Sequence, residues 1–316
     1  MEIRNYSQVT EFILLGFSTE HIVQVVLFQV FFILYMTTVT GNLLLIVAVR
    51  SDHRLHNSMY IFLANLSFLD ICFTSITIPK MLSNFLREKK SISYEGCLIQ
   101  VYGFLILGET ECILLAFMAY DRYVAISNPL RYSVVMRTTV CVRMIGASWL
   151  TGGIISSVDI YFLYQLRYCG FVTIDHFFCE APSLMTLSCN GDSVINVIKL
   201  VGSAVVLLVP LSCILCSYVH ILLSVLRIQS KRYKAFSTCI SHLIIVILFY
   251  GSAIIMYMKP EHSGHLLDKL LSVLYTTVTP MLNPIIYSLR NKDVQGAIRH
   301  LWRSMVTSNL HLLSPA

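Results

Sequence analysis

Apolar residues run along this chain in seven long blocks separated by short polar stretches. The blocks fall at roughly 22–49, 58–82, 97–120, 141–163, 197–226, 236–258 and 270–289. Each reaches the length of about 20 residues that a helix needs to cross the hydrocarbon core of a bilayer. The first contains no formal charge, whereas the second, third and fourth carry acids inside otherwise apolar sequence. Block 22–49 is too long for the apolar core of a signal peptide, and no small-residue cleavage site follows it, so it reads as a retained span. The pattern predicts an all-α membrane protein: a seven-helix bundle over 22–289, with tails at 1–21 and 290–316.

Composition agrees. Charged residues make up 13% of the 316 residues and hydrophobic ones 56%, with a mean hydropathy of +0.72. A soluble domain carries about 25% charged residues. The distribution of charge sets an orientation. With the N-terminus outside, the inner loops and tail hold fourteen Lys and Arg against three acids, while the outer segments hold eight against ten. Inner loops carry the Lys/Arg excess, so N-out and C-in is expected. The net charge of +6 then reflects topology and anionic headgroups. The basic residues are spread over four inner segments, which argues against nucleic acid as a partner. Beyond 290, Val294, Ala297, Ile298, Leu301 and Trp302 alternate with Arg299 and Arg303. That spacing predicts a short amphipathic helix on the inner leaflet.

Four cysteines, Cys97, Cys169, Cys179 and Cys189, fall on the expected outer side, where disulfides persist. Four cysteines allow three pairings. Asn5-Tyr6-Ser7 is a glycosylation sequon on the outer tail. Asn65-Leu66-Ser67 matches the same pattern within a span and is discounted.

Four acids lie within spans: Asp70, Glu109, Glu111 and Asp159. Each costs roughly 2.5–3.5 kcal/mol near the bilayer centre, so each should face the bundle interior. Asp70 and Glu111, with Asn42, Ser67 and Asn283, could form a hydrated pocket for Na⁺ or protons, or simply hydrogen-bond helices together. Asp159 is expected near the outer end of its helix. Pro210, Pro280 and Pro284 sit within apolar blocks and predict kinks. At the end of the third block, Asp121-Arg122-Tyr123 places an acid beside an arginine at a membrane face. This pair can hold itself closed and release the arginine when helices part. Tyr218 and Tyr287 are placed near the same face and could bridge to Arg122. His176 and Cys179-Glu180 offer too few ligands for a metal site. No phosphate loop, nucleophile elbow or zinc-protease motif is present, no internal repeat suggests a transporter, and no enzymatic activity or organic cofactor is expected.

Motifs along nearly the whole chain carry a resemblance. They are Leu55-His56-Asn57-Ser58-Met59-Tyr60 with Asn65-Leu66-Ser67 and Asp70, Met118 through Ile126, and Ser217-Tyr218. Further on come Lys234 through Leu243, Phe249-Tyr250-Gly251, and Pro280 through Asn291. In this order they resemble the odorant (olfactory) receptors, a branch of the rhodopsin-like G-protein-coupled receptors. Two positions depart from the family pattern: Ser58 stands where proline is usual, and Ser127 where cysteine is usual. Both are expected to affect only the stiffness of the inner loops.

The resemblance implies a plasma-membrane receptor for a small, diffusible odorant. It implies coupling to a heterotrimeric G protein of the stimulatory olfactory type, which raises cyclic AMP. It selects the pairs Cys97–Cys179 and Cys169–Cys189. It makes Asp121, Arg122, Tyr123, Tyr218, Tyr250, Asn283, Pro284 and Tyr287 the activation switch. It places the ligand between helices three, five, six and seven, with Phe104, Leu105, Gly108, Glu109, Gly202, Val206, Ile254, Tyr257, Val273 and Thr276 as lining. Glu109 lies outside the family motif; a carboxyl there would either favour ligands bearing an amine or a strong donor, or stay neutral and bond to a neighbouring helix. The nearest alternative is a non-olfactory receptor of the same superfamily, and a membrane transporter is a more distant one.

Overall fold

The computed structural model describes residues 9–17, 20–168, 173–189, 193–227, 232–257, 265–291 and 293–301. In chain order the helices are α1 (His21–Ser51), α2 (Ser58–Phe85), α3 (Tyr94–Ser127), α4 (Tyr132–Val135), α5 (Thr138–Tyr164), α6 (Ala181–Thr186), α7 (Ser193–Arg227), α8 (Arg232–Tyr257), α9 (His265–Val273) and α10 (Thr279–Arg290). A π-helical turn, Leu274–Val278, joins α9 to α10 without a break. A last helix, α11, covers 293–301.

Seven stretches of helix are long and apolar enough to cross a membrane. Their bounds follow from local chemistry. Asn57 caps α2 by accepting from the backbone N–H of Tyr60, and Ser93 caps α3 by accepting from that of Gly96 at 3.1 Å. Each satisfies a donor that the first turn leaves open. The seven helices are apolar outward as well as inward. Ile33 on α1, Leu150 and Ile154 on α5, and Val205 and Val209 on α7 are all exposed, as suits a surface facing lipid. Polar residues lie inside instead: Asn42, Asp70, Thr74, Thr77 and Thr110 are fully buried.

The long third helix is the axis of the bundle, packed against α2, α5 and α7. Small residues permit the closest approach. A Cβ on Gly152 of α5 would stand 2.6 Å from Thr110 Oγ1 and 3.1 Å from the backbone oxygen of Ile106, so only glycine allows this helix pair its spacing.

One end of the bundle is closed by a small sheet. The strand β1 (Glu11–Leu14) lies between β2 (Ser91–Ser93), antiparallel to it, and β3 (Thr173–Ile174), parallel to it. Phe12 and Leu14 alternate inward and are buried, which gives the strand its register. This strand lies within the segment read from sequence as a tail. Among the described residues the only positive φ is at Gly16, at 69°, where the chain leaves the sheet in a conformation that glycine adopts freely. Phe17 then stacks on Phe177 at 5.0 Å and on Phe31 at 5.8 Å. Lys269 of α9 donates to the carbonyl of Gly16 at 2.7 Å and to Asp175 Oδ1 at 2.6 Å.

The Cys97–Cys179 disulfide ties the start of α3 to this cap, with Cα atoms 5.5 Å apart. Cys189 is also disulfide-bonded. Cys169, its expected partner, lies outside the described residues, as do Asn5, Arg303 and Trp302. The chain flanking the second pair is nonetheless brought together, by a bridge between Tyr168 and Ser188 and a bond from Cys189 N to Arg167 O at 2.8 Å.

At the other end, α11 is helical as its amphipathic pattern predicts. Its apolar face meets protein, not lipid alone: Val294 and Ala297 are buried against Leu45, Val49, Leu55 and Leu63. Tyr60 anchors it by accepting from Asn291 Nδ2 at 2.8 Å.

The Cys97–Cys179 bond joins residues 82 positions apart, and in the chain-entropy model such a link contributes about 4 kcal/mol. Cys97→Ser is expected to retain the protein inside the cell. Surface labelling of a tagged variant checks this, and surface levels equal to the parent's would show the bond to be dispensable.

Candidate functional site

A cavity of about 70 Å³ opens inside the bundle toward the disulfide end. Its lining includes Phe104, Leu105, Gly108, Glu109 and Cys112 of α3, Ile155 and Asp159 of α5, and Gly202, Ser203, Val206 and Leu207 of α7. Phe249 and Ala253 of α8 and Tyr275 of the π turn complete it. The walls are mostly apolar with a few polar points, the general character of small-molecule sites.

Tyr275 organises one wall. Its ring meets Phe73 at 5.1 Å, Phe104 at 5.5 Å and Phe249 at 5.4 Å. Gly108 makes room for its hydroxyl, since a Cβ there would stand 2.8 Å from the Tyr275 oxygen. Glu109 is buried and accepts from Ser156 Oγ of α5 at 2.8 Å.

Six of the ten residues expected from sequence line the cavity: Phe104, Leu105, Gly108, Glu109, Gly202 and Val206. Ile254 and Val273 pack against the bundle core instead. Thr276 turns back onto its own helix, donating to Ser272 O at 2.6 Å. The side chain of Tyr257 lies outside what is described. The π turn explains Val273 and Thr276, because it rotates Tyr275 inward in their place. Asp159, expected at a helix end, reaches the cavity because α5 contributes a wall that the family resemblance does not mark.

Deeper in the bundle, Asn283 Nδ2 donates to both carboxylate oxygens of Asp70 at 3.0 Å. Glu111 is buried within electrostatic range of Asp70. Asn42 Nδ2 donates to Thr38 O at 3.0 Å and to Pro280 O at 3.1 Å. That second carbonyl is the one left without its helical partner by Pro284, so the freed group is satisfied from α1. The side-chain oxygens of Asn42 and Asn283 and the hydroxyl of Tyr287 are buried without a partner among the described residues. They surround a polar interior that the two acids dominate.

At the far end of α3, Asp121 is buried and bonded from three sides. It accepts from Ser58 Oγ at 2.7 Å, from Tyr132 OH at 2.9 Å and from Arg122 Nη2. Burial and the neighbouring Asp121 carboxylate push the Tyr132 hydroxyl up to about 12, so it stays a donor. Ser58 therefore does more than alter loop stiffness: the hydroxyl that stands in place of proline helps hold the acid. Ser127 reaches Ser224 of α7 at 2.8 Å. Tyr123 packs with Ile221, Val225 and Tyr218. Tyr218 OH bonds His242 Nδ1 at 2.7 Å, and Tyr250 OH donates to Cys112 O at 3.0 Å, joining α8 to α3.

A seven-helix membrane bundle with a small internal cavity at one end of a central helix and a caged acid–arginine pair at the other has the architecture of a ligand-operated receptor. The olfactory receptor family model matches residues 31–304. Human olfactory receptor 2K2 is 46% identical over 98% of this chain and 99% of its own length. Human olfactory receptors 13D1 and 5I1 are each 49% identical, over 99% and 97% of this chain and 90% and 98% of their own lengths. The chain belongs to the olfactory receptor family: it is a G-protein-coupled receptor of the plasma membrane that crosses the bilayer several times, and not an enzyme.

The cap offers a pH-dependent feature. His176 is buried between Phe177 and Phe178, with Nε2 at 3.2 Å from Ser272 Oγ and no partner for Nδ1 among the described residues. Burial pushes its pKa down; Glu180 opposes this, Lys269 adds to it, and Asp268 and Asp175 oppose it more weakly. A histidine with a lowered folded pKa leaves stability whole above its unfolded value, about 6.5, and removes it as pH falls from there toward the folded value. The thermal midpoint of purified receptor is expected to drop between about pH 7.5 and 5, and His176→Gln to flatten that drop. An identical pH profile in the variant would assign the dependence to other groups.

Proposed function

We propose that this chain is an odorant receptor that binds a small diffusible molecule in the cavity between α3, α5, α7, α8 and the π turn. Binding favours a bundle conformation that engages a heterotrimeric G protein of the stimulatory olfactory type and raises cyclic AMP. The observation that carries this reading is the placement of the cavity and the Asp121–Arg122 pair on one continuous helix, α3. The charge asymmetry supports an outside N-terminus and a cytoplasmic Arg122 end, and the sheet cap and disulfide then face the exterior. A ligand works here only by binding the active bundle more tightly than the resting one. Asp70 and Glu111, with Asn283 and Asn42, bring together groups of the right chemistry to hold Na⁺ or a proton. The test of the whole reading is a cyclic-AMP reporter screen of an odorant library in cells expressing the chain.

Arg122→Ala removes one of three donors to Asp121, and Ser58 and Tyr132 keep the acid bonded. The variant is expected to reach the surface, to bind ligand normally and to lose ligand-driven cyclic AMP. Full signalling at normal surface levels would sink the switch assignment.

Glu109 gives the cavity a site for a cationic or strongly donating ligand group. For an amine agonist, Glu109→Gln is expected to lower sensitivity by about ten- to a hundredfold, the loss of about 1.5–3 kcal/mol of charge-assisted bonding. Matched alcohols and hydrocarbons should shift little, since a glutamine oxygen still accepts from Ser156. Dose–response curves on the matched series decide it; an unchanged ranking makes Glu109 structural.

A further inference from the structure

A second, larger hollow lies outside the bundle, on the surface facing lipid. It measures about 630 Å³ and is lined by α3, α5 and α7, with Ala116, Phe117, Thr151 and Val209 among its walls and no charged side chain among the described residues. Along α3 it begins at Ile113, directly beyond Cys112, where the inner cavity ends. Two residues line both spaces: Ile155 of α5 and Val206 of α7. Helices α5 and α7 each lie along α3, yet among the described residues they are not closely packed on each other. The partition between groove and cavity is therefore two aliphatic side chains at a gap between helices. At the disulfide end, Phe178 of the disulfide-tied loop packs on Phe104 of the cavity wall at 5.0 Å.

We propose that the groove is the entrance through which neutral, lipophilic ligands reach the cavity, from the bilayer between α5 and α7 past Ile155 and Val206. The proposal rests on reading the cavity as the odorant site. The chemistry of the route follows from its walls. A molecule in the groove meets aliphatic and aromatic side chains with the hydroxyls of Thr151, Tyr120 and Ser217 as its polar points. An uncharged body with at most one weak polar group fits, whereas a charged one would lose its hydration without a counter-charge. The bilayer also concentrates such molecules. Each added methylene favours the apolar phase by about 0.8 kcal/mol, roughly a fourfold gain in local concentration. Entry by this path makes the rate of arrival follow lipid partitioning, while affinity is set in the cavity.

The test uses purified receptor in lipid nanodiscs and a linear eight-carbon alkane bearing a diazirine, activated by light at increasing times after addition. Labelled residues are located by mass spectrometry. Groove residues should be labelled first and cavity residues later. Thr151→Trp with Val209→Trp, both in the groove and outside the cavity, should slow cavity labelling by about fivefold or more. Leu150→Trp, exposed on the same helix but not lining the groove, should leave it unchanged and controls for folding. An unchanged rate of cavity labelling in the double variant would overturn the entrance while leaving the odorant cavity standing. Labelling confined to the groove would make it a seat for an acyl chain and overturn the entrance.

Discussion

Hydrocarbon offers no hydrogen bonds, so the polar groups that join helices inside this bundle find their partners in the protein. That constraint decides where the helices touch. Asn42 of α1 donates to the carbonyl that Pro284 leaves open in α10. Asn283 of α10 donates to both oxygens of Asp70 in α2. Gln100 of α3 donates to Ile76 O of α2 at 2.9 Å and accepts from the backbone N–H of Cys179 at 2.8 Å. Asp121 of α3 draws Ser58 from α2 and Tyr132 from α4. Aliphatic packing fills the space between these bonds but does not by itself choose the register, because the lipid would accept the same side chains.

The two ends of α3 are held by different means. At one end the hold is covalent and extended: a disulfide, a three-stranded sheet and an aromatic stack. At the other it is a set of hydrogen bonds around one carboxylate, each of which breaks and re-forms readily. A receptor needs this asymmetry, since the ligand end has to keep its shape while the effector end changes partners.

Much of this is legible in the chain. The spans follow from apolar length. The acid–arginine pair stands out because opposite charges side by side at the end of an apolar run can satisfy each other where the helix meets water. Rotation about helix axes is not legible in the same way. The sequence points Val273 and Thr276 inward and passes over Tyr275, because period-3.6 counting assumes an unbroken α-helix. It passes over Ile155 because the fourth span carries no motif to mark its inner face, and it marks Asp159 only as an acid that has to turn inward. The strand at Glu11–Leu14 is four residues of ordinary alternation, and its partners lie about 80 and 160 positions away. Ser58 reads as a loop substitution because nothing in the linear sequence places it beside Asp121.

The π turn at Leu274–Val278 has one further consequence. Its closing bond runs from Thr279 N–H to Leu274 O, one residue longer than the α ladder. An extra residue changes the angular phase between the helix above and the helix below by about 100°. Tyr275 faces the cavity and Asn283 faces Asp70 in the same structure. In a straight α-helix of the same sequence, side chains eight residues apart stand about 80° apart around the axis, and the extra residue brings Tyr275 and Asn283 close to one line. The turn acts as a vernier between two otherwise rigid scales, setting the angle at which a single helix presents Tyr275 to the cavity and Asn283 to the polar interior.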